Sequence, residues 1–144
     1  MTKLYERDFF AWTQDQADAL RRRSANEIDW ENLLEEVESM GKQERGELRS
    51  RLIVLLTHLL KWRFQPERRS RSWMFTILEQ REKAQLVIAE SPSLQPQVED
   101  VMAETYRSAR LRAARETKYM PDDFPAACPF SWREALETPI ELPD

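Results

Sequence analysis

His58 is the only histidine in the 144-residue chain and stands within Leu55-Leu56-Thr57-His58-Leu59-Leu60. An imidazole titrates near neutrality and is a common metal ligand, so chemistry is sought there first. On a helix it shares a line with Glu47, Arg51, Val54, Lys61 and Gln65, the most polar line of an otherwise apolar segment. Upstream, Glu31, Glu35, Glu36 and Glu38 follow Asp29, and at ~100° per residue only Glu36 and Glu38 flank the apolar face of Leu33, Val37 and Met40. Glu36, Glu38, His58 and Lys61 therefore form the candidate functional cluster. Helical dinuclear metal sites use Glu-x-x-His pairs, and the sequence contains none; a zinc site commonly draws on several His or Cys, and here there is one of each. No metal or other cofactor is expected. A hydrogen-bonded structural histidine and a solvated acidic face near a helix N-terminus are the preferred readings.

A second candidate runs from Lys61 to Trp73, where basic residues alternate with aromatics. Arg68, Arg69, Arg71 and Trp73 are the residues suited to a phosphate or a partner surface, since arginine neutralises phosphate and rings stack on bases. The same composition suits a helix junction, where cations follow a helix C-terminus and tryptophans enter the core. With an acidic chain average, nucleic acid is not the expected partner, and Arg68, Arg69 and Arg71 are expected to pair with acids of the N-terminal half. Cys128, the only cysteine, excludes an intramolecular disulfide and lies between Ala127 and Pro129 without a base beside it; it reads as a small buried residue. One histidine supports no Ser-His-Asp set that can be argued from sequence, and Gly41 and Gly46 fit no phosphate-loop spacing.

Helices must position these groups. Two glycines in the whole chain leave little material for tight hairpins, and leucine and alanine far outnumber valine and isoleucine. Apolar spacing predicts a first helix over about 3–23, with Tyr5, Phe9, Trp12, Ala19 and Leu20 on one face. A second opens at Asp29 and buries Trp30, Leu33, Val37 and Met40, with a kink or break expected between Gly41 and Gly46. Its continuation carries Leu48, Leu52, Leu55, Leu59 and Trp62 at steps of four and three, with Ile53, Leu56 and Leu60 beside them, and forms the centre of the core until Pro66 closes it. A third helix starts at Ser70 or Ser72 and stops near Pro92. A fourth is capped by Ser93, with Pro96 in its first turn and Val98, Met102, Thr105, Tyr106, Ala109 and Ala113 on one face. From Tyr119 on, five of eight prolines accompany Phe124, Phe130 and Trp132. The expectation is an all-α, single-domain bundle of four to five helices, residues 1–118, with a Pro-rich strap, 119–144, wrapped along its outside.

The segments also resemble a known family. Tyr5-x-x-Asp8-x-x-x-Trp12, Asp29-x-x-Asn32-Leu33-x-Glu35-Glu36-x-Glu38-x-Met40-Gly41, His58-Leu59-Leu60-Lys61-Trp62, Ser72-Trp73, Pro92-Ser93-Leu94, Tyr106-x-x-Ala109, Glu116-Thr117 and Phe124-Pro125-x-x-Cys128-Pro129 follow in order. This arrangement is similar to the bacterial family called "domain of unknown function 29", over nearly the whole chain; Lys118-Tyr119 departs from its pattern. The resemblance implies a small all-α bacterial protein and supplies no activity.

Net charge is −4, distributed as −5 over 1–44, +6 over 45–83, zero over 84–118 and −5 over 119–144. Internal pairing of that pattern is favoured over a partner surface. No segment has the apolar length of a membrane helix, and a cytoplasmic protein is expected. The functional expectation is a non-enzymatic protein-interaction or regulatory module with a protein partner, with a homodimer as the oligomeric expectation. The alternatives are an enzyme or metal-binding protein using the inward glutamates and His58, and a nucleic-acid-binding module using residues 61–73.

Overall fold

The computed structural model describes residues 3–142 and, among them, contains helices and no strand. Two compact units divide at 43/44, and one 35-residue helix contributes to both.

In the first unit the expected opening helix is cut in two, α1 (Lys3–Arg7) and α2 (Phe9–Arg21). Asp8 is responsible. Its backbone leaves the helical region and its carboxylate accepts from Ala11 N at 3.0 Å, so it caps a new helix. Trp12, Gln16 and Ala19 form the buried face of α2, while Phe9 and Leu20, expected with them, remain exposed. A 3-10 turn (Ala25–Glu27) then leads to α3 (Trp30–Phe64), opened as expected by Asp29. The Asp29 carboxylate accepts from Asn32 Nδ2 (2.7 Å), Asn32 N (3.4 Å) and Trp12 Nε1 (3.0 Å), and its own N–H donates to Gln16 Oε1 at 2.7 Å. The Asn32 amide, and after it the Trp12 indole, holds the Asp29 carboxyl below the usual carboxylate range against the opposing effect of burial.

This network overrides the hydrophobic pattern. Asn32 is buried, and Glu36 and Ser39 are half-buried beside it; Trp30, Val37 and Met40, expected inside, are exposed, and only Leu33 is partly covered. The inward face of α3 is therefore turned by roughly 100° from the apolar one. The expected break at the glycines does not occur, because α3 continues through both and neither needs a positive φ.

In the second unit the apolar pattern holds. Leu48, Leu52, Leu55, Leu56 and Leu60 of α3 have no exposed surface, and Leu59 and Trp62 are buried with them. A 3-10 turn begins at Pro66, and Ser70 caps α4 (Arg71–Glu90), accepting from Trp73 N at 3.2 Å. The expected fourth helix begins later than Ser93: with prolines at 92 and 96 withholding N–H groups, residues Pro92–Gln97 form a 3-10 helix and α5 is Val98–Arg115. Its predicted face is buried throughout. The C-terminal strap does not merely wrap the outside. Phe124, Phe130, Ala135 and Leu136 enter the core, and Ser131 caps a short α6 (Trp132–Glu137) in a reciprocal box with Glu134. Buried Arg81 of α4 donates to the carbonyls of Glu134, Ala135 and Thr138, which ties α6 to the core.

Asp29→Ala should destabilise the first unit by about 0.5–2 kcal/mol at pH 7, the range for loss of a capping carboxylate. Because the folded carboxyl titrates below its unfolded value, its contribution is present above the unfolded pKa of about 3.9 and is lost as pH falls through the folded one. The gap between parent and variant, measured by hydrogen exchange of the amides of residues 30–36, should therefore close in acid. An equal exchange rate in both proteins at pH 7 would remove Asp29 as the organiser.

Candidate functional site

Three helix ends meet around Lys61. The lysine lies in the last turn of α3, Trp73 in the first turn of α4, and Glu116 caps the C-terminus of α5. Lys61 is only 5% exposed; its Nζ stands 2.9 Å from Glu116 Oε1 and 4.8 Å from the centroid of the Trp73 ring. A buried ammonium needs compensation, and here the carboxylate and the ring face supply it. An open cleft of about 400 Å³ is lined by Glu116 of this pair and walled by Gln65, Trp73, Thr117 and Tyr119, with Glu67, Arg68 and Lys118 also lining it. Tyr119 is fixed by its hydroxyl, which donates to the Phe64 carbonyl at 3.2 Å, and by edge contact with Phe124.

His58 lies one turn before Lys61, half-buried, and its Nδ1–H donates to the Val54 carbonyl at 2.9 Å. Burial pushes the imidazole below its ordinary value; the Val54 bond opposes this, and the Lys61 charge adds to it. The ring is held as a helix side chain commonly is, by the carbonyl four residues back.

The arginines of 61–73 do not form the ion pairs expected of them. Arg69 donates to the Trp62 carbonyl at 2.8 Å and lies over the Trp62 ring, Arg71 lies over Phe75, and Arg68 is exposed at the cleft. Among the described residues none of the three pairs with an acid. Ring faces nearby, buried at Trp62 and exposed at Phe75, offer guanidinium groups an alternative to carboxylates, and the acids of the N-terminal segment are engaged elsewhere or exposed.

Glu36 and Glu38 belong to the first unit, His58 and Lys61 to the second. Glu36 accepts from the Tyr5 hydroxyl, and this bond, helped by desolvation and by neighbouring acids, pushes the phenol up to about 12. Glu38 is exposed. Cys128 is half-buried, with its thiol pushed up by that burial. Glu116, Tyr119 and Tyr5 are outside the candidates that the sequence offers; Tyr5 and Glu116 stand in motif segments, but no local pattern ties Glu116 to a lysine 55 residues earlier. No cluster of three or more His, Cys, Asp or Glu side chains able to hold a metal occurs among the described residues, and no helix of theirs is long and apolar enough to cross a membrane.

These features define an all-α protein whose polar candidates are largely held by its own packing. The chain belongs to the family described as "Domain of unknown function DUF29", whose model matches residues 4–139. No curated protein and no solved structure matches it.

Two outcomes follow from this geometry. Glu116→Ala strands the Lys61 ammonium and should cost about 1–3 kcal/mol in urea unfolding, while adding Lys61→Met should recover most of that loss. Additive losses would mean that the pair is not coupled. The only histidine yields a single Cε1–H resonance, and its NMR titration should have a midpoint below 6.5. A base with a depressed folded pKa leaves the unfolded chain holding more protons, so its contribution is present above the unfolded value and is lost as pH falls towards the folded one. A midpoint above 6.5 would place a carboxylate, rather than the Val54 carbonyl and burial, in control of His58.

Proposed function

We propose that this protein is a non-enzymatic protein-interaction module that works through the first half of α3. One observation carries the reading: Trp30, Leu34, Val37 and Met40 are 60%, 60%, 57% and 64% exposed and fall within one sector of about 120° over three turns. Contiguous apolar surface of this kind marks a binding face, because a helix exposing it to water forgoes the burial that would otherwise stabilise it. The residues with catalytic chemistry support the same reading. His58 and Lys61 are bound to groups of the fold, and Arg69 and Arg71 are engaged with a carbonyl and ring faces.

A photo-crosslinking amino acid at Leu34 or Val37, in the cell that makes the protein, should give protein adducts, and the same probe at exposed Gln14, on the side of α2 opposite its buried face, should not. The Leu34→Asp substitution should abolish the Val37 adduct without lowering the thermal midpoint. Equal adducts at Gln14, or none at Leu34 and Val37, would overturn the assignment.

A further inference from the structure

The exposed face has a counterpart along its own helix. Trp30, Leu34 and Val37 repeat the four-three spacing of Leu48, Leu52 and Leu55, and in the second unit each of those leucines is fully buried against neighbouring helices. The steps Trp30, Leu34, Val37 and Gly41 are the four-three-four spacing of a helix-packing seam.

Gly41 closes that seam and has no internal reason to be glycine. It is mid-helix, its φ is not positive, and a Cβ built there would meet nothing within 4 Å. A glycine in a helix interior costs more propensity than any residue except proline, and at the end of this seam it leaves the backbone open to close approach from outside.

As far as Glu38 the charge beside the seam is of one sign, and Lys42 follows on the same edge next to Gly41. Glu38, Glu31 and Glu35 line one edge, and from Asp29 to Glu38 there are five acids and no base. Among the described residues of the first unit, Glu31, Glu35 and Glu38 have no ion-pair partner; Arg21 and Arg22 pair with Asp18 and Glu27 instead. An open cleft of about 590 Å³ beginning at Trp30 and Glu31 adds Asp15; Glu27, which also lines it, is paired with Arg22. A second copy of the chain would set these acids against their like.

We propose that the occupant of this face is a basic amphipathic helix of another protein, which crosses α3 at Gly41 and sets Lys or Arg side chains against Glu31, Glu35 and Glu38; the proposal rests on the interaction reading above. Helix-on-helix docking uses apolar anchors at this spacing, and the flanking charge selects the partner.

The probes are two synthetic helices of about 18 residues with leucine at four-three spacing, one flanked by lysine and the other by glutamate, titrated against the full chain and read from the Trp30 indole N–H by NMR. The lysine peptide should bind at least about ten-fold more tightly, with the gap narrowing in ~1 M salt. Replacing Glu31, Glu35 and Glu38 by Gln should remove most of that preference. Gly41→Ala should weaken the lysine peptide about ten-fold without lowering the thermal midpoint, because alanine favours the helix while blocking close approach. Unchanged binding by Gly41→Ala overturns the crossing point. Equal binding of both peptides overturns the basic partner and leaves the interaction reading standing. So does binding of neither together with a dimer that Val37→Glu dissociates, since the occupant is then a second copy. Binding of neither by a protein that stays monomeric overturns both.

Discussion

A helix presents its side chains at one fixed angular interval, so a long helix that is buried twice must find, in each stretch, something to fix which face turns inward. In the second half of α3 leucines at steps of four and three do this, and burial of each contributes roughly 1.5–3 kcal/mol. In the first half the apolar residues would point the same way, but Asp29, Asn32 and Glu36 fix a different face through Trp12, Gln16 and Tyr5. Hydrogen bonds are directional and apolar contact is not. Where several converge on one carboxylate, as at Asp29, they decide the register and leave the apolar face outward.

The far end of α3 faces a different constraint. A helix C-terminus collects unsatisfied carbonyls, and cations are the natural complement. Lys61 and Arg63 stand there, but Lys61 is taken out of water, so its charge is met across the fold by Glu116 at the end of α5 and by the face of Trp73 at the start of α4. One buried ammonium thus fastens three helix ends. Arg81 does the same for α6 without any carboxylate, through three carbonyls, and burial lowers its pKa from the usual value.

What the sequence made legible follows from these two kinds of force. The row from Leu48 to Trp62, the cap at Ser70 and the buried face of α5 could be read because burial and capping act on local spacing. Trp30, Val37 and Met40 were misplaced because the groups that outcompete them, Tyr5 and Trp12, lie in other helices, and a hydrogen bond between residues 17 or 31 positions apart leaves no periodic trace. Similarly, Lys61 was recognisable as a polar residue on an apolar helix, yet its partner was not. Arginine's preference for the rings of Trp62 and Phe75 over distant acids depended on which aromatic faces the fold left within reach.

The uneven charge of the chain can be followed the same way. Every ion pair formed by the basic stretch 45–83 among the described residues within the second unit uses an acid of that unit, from Glu47 to Glu134. Of the ten cations in that stretch, four pair with acids of the segments that follow and two with acids of the stretch itself, while among the described residues Arg68, Arg69, Arg71 and Arg81 pair with none. The acids between 29 and 38 divide into those the first unit uses, Asp29 and Glu36, and those it leaves beside exposed apolar surface, Glu31, Glu35 and Glu38. Exposed carboxylates keep a bare apolar stripe soluble, and they also repel its like. A face built from both tolerates water and disfavours pairing with itself, which are the conditions under which an apolar stripe can persist on a free protein and still select one kind of helix.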